Sequence, residues 1–199
     1  MLKRDLINIL KSKKNIIETA LNFLYIVASK TWEKDFKAFT GPGYSEIELD
    51  SSKVVYRIDN PAVLVSLYAN NDYLNNSGLN LYKAVICYSF NTIYESVACY
   101  CRIDHTNLDL WEHASWRPLA RLIRNSFSHD FRLDFSKKTK KGKILLIDSV
   151  SYSFPDGTVY KLNQNEHGNK VNGDNVPLQV ILKLIDVMID FIENIKEDT

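Results

Sequence analysis

The stretch from Leu79 to Ile103, LNLYKAVICYSFNTIYESVACYCRI, decides how the chain is read. It is the most hydrophobic run in the sequence, and its apolar residues fall on nearly every face of a helical wheel. A helix of that kind is expected at the centre of a fold, covered by neighbours on all sides. The chain around it has to supply those neighbours.

On its N-terminal side, NPAVLVSLYANNDYL opens with Asn60 as N-cap and Pro61 at the first helical position, a good helix start. NNSG at Asn75–Gly78 is expected to close that helix before the central one begins. Further upstream, residues 2 to about 38 follow helical spacing through Leu6, Ile9, Leu10, Ile16, Ile17, Leu21, Leu24 and Tyr25. The turn Thr40–Ser45, TGPGYS, ends that segment, and EIELDSSKVVYRID reads as a short strand or an extended connection.

On its C-terminal side, DHTNLD separates the central helix from LWEHASWRPLARLIRNSFSH, where Pro118 implies either a kink or a fresh start near Trp116. KILLIDSVSYSF, then PDG, then TVYKL is the signature of a β-hairpin, about residues 143–162. NQNEHGNKVNGDN, residues 163–175, is read as a mobile loop. VPLQVILKLIDVMIDFIENIKE is a closing amphipathic helix, with Val180, Leu184, Val187, Ile189 and Phe191 as core candidates. The fold expected is mostly α: a single domain over residues 1–199, a bundle of four to five helices with one inserted hairpin.

Composition narrows the setting. At 199 residues, 45% hydrophobic and 25% charged, the chain fits one ordinary globular domain. Its three cysteines, Cys87, Cys99 and Cys101, form no disulfide framework and are expected to be buried thiols in a reducing compartment. No window reaches the roughly 18 apolar residues that span a bilayer, and Glu18 and Asn22 interrupt the N-terminal apolar run. A cytoplasmic protein without a membrane anchor is the expectation.

The whole-chain charge of +1 names no partner, but the charge is unevenly placed. From Trp111 to Lys143 there are nine basic residues, Arg117, Arg121, Arg124, Arg132, Lys137, Lys138, Lys140, Lys141 and Lys143, against Glu112, Asp130 and Asp134. A concentrated positive patch is the footprint of a phosphate-backbone partner, although lysine runs are equally often solvated surface. On the helix leading into this region, His113, Arg117, Arg121 and Asn125 recur four apart and share a face, with Arg124 and Ser128 beside them. Trp116, Leu119, Ile123 and Phe127 occupy the apolar face.

Within this segment, RNSFSH sets Arg124, Asn125 and His129 in an Arg-x4-His pattern with a polar residue directly after the arginine. That pattern resembles the catalytic motif of the HEPN superfamily (higher eukaryotes and prokaryotes nucleotide-binding domains). The mostly helical chain, with the motif after its most hydrophobic helix and a closing helix behind, resembles the family loosely over Pro61–Ile195. The resemblance implies a metal-independent ribonuclease, often a toxin or phage-defence effector, acting as a homodimer on RNA and held in check in some cases by an antitoxin protein. It implies Arg124, Asn125 and His129 as the catalytic residues, with no cofactor and no metal. The residue types suit the reaction: histidine titrates near neutrality, and arginine and amide donors oppose charge developing on a phosphate.

The plainer alternative stands beside this. Arg124 can pair with an acidic residue, and His129 can simply cap a helix C-terminus. Five residues along a straight helix is about 140° of rotation and about 7.5 Å of rise, so the two side chains diverge unless the helix ends near Ser128 or a two-fold axis supplies a second pair. Glu95, on the central helix, either hydrogen-bonds Arg124, orients His129, or meets neither. Arg117, Arg121, Arg132, Lys137, Lys138, Lys140 and Lys141 are the candidates for holding RNA.

Other chemistries find little in the sequence. Cys99, Cys101, His105 and His113 match no standard zinc spacing. Neither a Walker loop nor a dinucleotide glycine fingerprint occurs, and no elbow motif surrounds Ser126 or Ser128. Two functions from different classes therefore remain: a HEPN-like endoribonuclease, or a non-catalytic HEPN-like module that binds RNA, a nucleotide or a protein through the same basic stripe.

Overall fold

In the computed structural model, which describes residues 2–29, 44–49, 52–57, 71–138 and 142–196, the decisive stretch lies almost wholly within one helix. The chain is mostly helical. Its elements in order are α1 (Lys3–Ser29), β1 (Tyr44–Leu49), β2 (Ser52–Arg57), α2 (Asn71–Cys101), α3 (His105–Glu112) and α4 (Arg117–Ser128). There follow β3 (Ser136–Lys138), β4 (Ile144–Leu146), β5 (Ser149–Ser153), β6 (Val159–Asn163), a 3₁₀ turn (Gln164–Glu166) and α5 (Leu178–Asn194). These form two compact units, one of residues 1–17 with 86–199 and one of residues 18–85.

The unit of residues 18–85 holds the later part of α1, the β1–β2 hairpin and the start of α2. The run EIELDSSKVVYRID, expected as a short strand or an extended connection, falls in two strands paired antiparallel, with Tyr44 opposite Arg57 and Leu49 opposite Ser52. The helix start at Asn60–Pro61 and the chain from Lys30 to Gly43 lie outside the described residues. The expected stop at Asn75–Gly78 is overridden: α2 runs straight through it. Glycine costs about 1 kcal/mol inside a helix, and each asparagine or serine less than that. Propagation from an already formed helix adds a hydrogen bond per residue, which offsets costs of this size.

The other unit carries the core. On α2 the buried positions are Ile86, Ser89, Phe90, Ile93, Tyr94, Val97, Ala98 and Cys101, the 3–4 spacing of a single helical face. The expectation of burial all round is corrected: Tyr88 is 64% and Leu81 51% exposed, and Cys99 is also exposed. Apolar composition on every face cannot supply a covering element on every face. The N-terminal part of α1 buries Leu6, Leu10 and Ile17, and its lysines reach α5. Lys3 Nζ donates to the Glu193 and Ile195 carbonyls, and Lys14 Nζ meets Asp186 Oδ1 at 2.6 Å.

α5 buries Val180, Ile181, Leu184, Ile185, Val187, Met188, Ile189 and Ile192. Phe191, expected in the core, is half-buried and stacks edge-on with Trp116 at 5.5 Å. The expected hairpin is divided between two sheets. β5 and β6 pair around the Pro155–Gly157 turn, with buried Val150 opposite buried Leu162, whereas β4 pairs with β3, Lys138 opposite Ile144. Gly157, at φ +82°, supplies the left-handed residue of the turn.

Candidate active site

α4 begins afresh at Arg117 after the turn that follows α3, with Pro118 at its second position, where the missing N–H goes unused. Its apolar face buries Leu119, Ala120, Leu122 and Ile123. Phe127 meets Phe90 of α2 edge-on at 5.7 Å. Contacts between α2 and α4 run in opposite sequence order, Phe90 with Phe127 and Glu95 with Arg124, so the helices are antiparallel. This packing turns the polar row of α4 toward the polar edge of α2.

At that edge Arg124 Nη2 lies 2.5 Å from Glu95 Oε1, and Arg124 Nη1 donates to Asn125 Oδ1 at 3.2 Å. Asn91 Nδ2 donates to Ser128 Oγ at 3.3 Å, and that hydroxyl donates to the Arg124 carbonyl at 3.2 Å. Arg124 Nε–H is buried with no hydrogen-bond partner among the described residues. The two side chains of the ion pair are 31% and 41% exposed, so the pair contributes under about 1 kcal/mol to stability. Its effect is on geometry: it holds the guanidinium in one orientation.

His129 leaves the helix. It is the C-cap of α4, with φ −130° and ψ 73°, and Asp130 and Phe131 follow at φ +54° and +58°. Two consecutive non-glycine residues in the left-handed region cost about 1 kcal/mol or more each, and surrounding contacts have to hold them there. The Phe131 carbonyl accepts from Val171 N–H at 2.6 Å, and the Phe131 ring lies 5.9 Å from Phe127. The reversal carries His129 into an open cleft of about 450 Å³ that it lines together with Ser128, Asp130, Arg132, Asp134 and His167.

The far wall of the cleft comes from the segment read as a loop. Residues 131–135 run antiparallel to 167–171: Leu133 N–H donates to the Asn169 carbonyl at 3.0 Å, and Gly168 N–H to the Leu133 carbonyl at 2.8 Å. Arg132 bridges to Lys170, and Arg132 Nη1 donates to the Gly168 carbonyl at 2.7 Å. A capping box closes the preceding 3₁₀ turn, with the Asn163 side chain accepting from the Glu166 backbone and Glu166 Oε2 accepting from Asn163 N–H at 2.9 Å. Its C-cap is His167, whose Nδ1 accepts the Phe135 N–H at 3.1 Å. Asp134 lines the cleft with both histidines, its Oδ1 3.8 Å from His167 Nδ1. Partial desolvation pushes its carboxyl up, but the Ser136 hydroxyl and amide, with His167 and His129 nearby, hold it below the usual carboxylate range.

The basic stripe is divided among different tasks. Arg117 lies over the Trp111 ring at 3.9 Å and donates to the Glu112 carbonyl at 3.2 Å, tying the start of α4 to the end of α3. Arg121, Arg132 and Lys137 are exposed. The Lys138 backbone closes β3 while its side chain, with Lys140 and Lys141, lies outside the described residues. Among the described residues no cluster of three or more His, Cys, Asp or Glu could hold a metal ion. No helix among them is long and apolar enough to cross a membrane.

Glu95 is therefore brought to Arg124, which also donates to Asn125, while His129 joins a second group beyond the end of α4. Asn91, Asp134 and His167 were not legible as site residues. For His167 a signal existed in the capping box Asn163-x-x-Glu166, which marks an ordered turn inside the polar segment. Compared with protein-family models, with curated proteins and with solved structures, the chain matches none.

Proposed function

We propose that this chain is a HEPN-like, metal-independent endoribonuclease that cleaves RNA through its own 2′-hydroxyl. The observation that carries the reading is the end of α4 at Ser128. It frees His129 from the helical path along which it would diverge from Arg124, and sets it in an open cleft with Asp134 nearby. Ser128, which lines the cleft and hydrogen-bonds the Arg124 carbonyl, joins the two groups.

In the reaction His129 takes the 2′-hydroxyl proton as that oxygen attacks phosphorus. The P–O5′ bond breaks, solvent supplies a proton to the departing oxygen, and a 2′,3′-cyclic phosphate and a 5′-hydroxyl result. Arg124 opposes charge on the phosphate, oriented by Glu95 and Asn125. Arg121, Arg132 and Lys137 hold the backbone. A homodimer would set a second Arg124–His129 pair opposite the first, and an antitoxin protein is the natural partner of a toxin or phage-defence effector of this kind.

The test is cleavage of mixed cellular RNA in EDTA by wild type and His129→Ala. Wild type is expected to cut, with the rate falling about 10²- to 10⁴-fold in the variant while its circular dichroism is unchanged. A His129→Ala protein that cuts at the wild-type rate overturns the reading.

One observation favours a second function. Arg124 is already engaged by Glu95 and Asn125, as a fixed structural arginine would be. A non-catalytic module that binds RNA, a nucleotide or a protein would show wild-type affinity in His129→Ala and no turnover in either protein.

A further inference from the structure

The polar segment after the β5–β6 hairpin returns a second histidine to the cleft that holds His129, and the hydrogen bonds of its ring fix what it can do. His167 Nδ1 accepts the Phe135 backbone N–H at 3.1 Å. A nitrogen that accepts an amide hydrogen carries none of its own, so in the neutral ring the proton sits on Nε2. Asp134 Oδ1 lies 3.8 Å from the same Nδ1. An ion pair there would require a proton on Nδ1, set directly against the Phe135 N–H. The shorter, directional amide contact decides the tautomer, and the Asp134 carboxylate is satisfied instead by the Ser136 amide at 2.9 Å.

We propose that His167 is a further catalytic residue of this site, a fixed hydrogen-bond donor whose Nε2–H binds a non-bridging oxygen of the scissile phosphodiester. The proposal deepens the ribonuclease reading and rests on it for the chemistry, though not for phosphodiester binding. Of the two cleft histidines, His167 is the donor and His129 the proton acceptor, because among the described residues the His167 ring has a hydrogen bond that fixes its tautomer and the His129 ring does not. The remaining charged groups facing the cleft are Asp130, from the reversal after α4, and Arg132 and Asp134, from the segment paired with 167–171. Arg132 adds a cation on the same wall, tied to the Gly168 carbonyl next to His167. The two carboxylates leave the cleft without a large positive charge, so directed donors on the phosphate matter more here than the long-range field.

The backbone supports a fixed role. Three main-chain hydrogen bonds tie residues 131–133 to 168–171, and the ring closes the ladder through Phe135. A donor held this way reorganises little during reaction, which is what makes such a group effective.

Asparagine and glutamine separate the two nitrogens of the ring. The His167→Asn side chain retains an acceptor near the δ position for the Phe135 amide and offers no donor near the ε position. His167→Gln does the reverse. Wild type and both variants are assayed on single-stranded RNA from pH 5 to 8, and for affinity toward the same strand with 2′-deoxyribose, which cannot be cleaved. The expected result is a loss of about 10²-fold in kcat/KM for His167→Asn and recovery to within about threefold for His167→Gln. The pH dependence should be unchanged in both, since the proton transfer is assigned to His129 and not to His167. Activity kept by His167→Asn and lost by His167→Gln would show that His167 serves only as the acceptor for Phe135, and a moved midpoint would show that it transfers protons; either overturns the proposal. Should wild type not cleave, the ribonuclease reading fails, and the 2′-deoxy strand alone decides: weaker binding by His167→Asn than by His167→Gln and wild type upholds the donor, equal binding by all three overturns it.

Discussion

At the scale of single residues, the fold discriminates between side chains that look alike in sequence. The three cysteines were all expected in the core, yet Cys101 is buried, Cys87 half-buried and Cys99 exposed. Burial pushes the Cys87 and Cys101 thiols up to about 12, and the thiolate is the reactive form. In the native protein at pH 8 one thiol should therefore react rapidly with a disulfide reagent, and Cys99→Ser should remove that fast phase. Three equal rates would contradict the burial pattern. The same discrimination applies to the arginines. Arg117, Arg121 and Arg124 share one helix face by spacing alone, but Arg117 stacks on Trp111, Arg124 pairs with Glu95 and Arg121 stays exposed. Spacing determines which residues share a face and says nothing of what faces them.

At the scale of elements, local signals were read correctly where one physical rule acted alone. Pro118 sits in the first turn of a fresh helix, one of the two outcomes it allowed, Asp156-Gly157 makes the β5–β6 turn, and the apolar row of α5 is its buried face. Readings failed where a local rule met a longer-range one. NNSG was expected to end a helix, and α2 passes through it. Gly78→Ala should then stabilise the protein by about 1 kcal/mol, raising Tm by roughly 2–4 °C in calorimetry. A loss of stability would mean that the backbone at Gly78 is not helical. The run Ile144–Ile147 was joined to the hairpin on its β-branched and apolar content. It is exposed, and its partner changes at the Ile147–Asp148 step: Ile147 N–H donates to the Phe135 carbonyl at 3.0 Å, while the Asp148 carbonyl accepts from Gln164 at 2.8 Å. Strand pairing depends on where the chain returns, which the strand's own residues do not encode.

At the scale of the molecule, the apolar interior outweighs the ion pairs that decorate it. Along α1, Leu10 is fully buried, while the neighbouring Lys11 meets Glu193 at 2.8 Å with both side chains largely exposed. Leu10→Ala should cost about 2–5 kcal/mol in urea unfolding and Lys11→Ala under about 1 kcal/mol. Comparable losses would mean that α1 is held mainly by charge. The sequence by itself determined the mostly helical character, the main buried faces of α4 and α5 and the concentration of basic residues around Arg124, because periodicity, proline and glycine geometry and composition act within a few residues. Only the tertiary structure decided that Glu95 meets Arg124, that α2 keeps an exposed apolar side, and that a polar segment lays His167 beside the tail of the motif. Those contacts join positions such as Phe135 and His167, 32 apart, and depend on the packing of α2 against α4 and on the backbone reversal at Asp130 and Phe131, which no local pattern specifies.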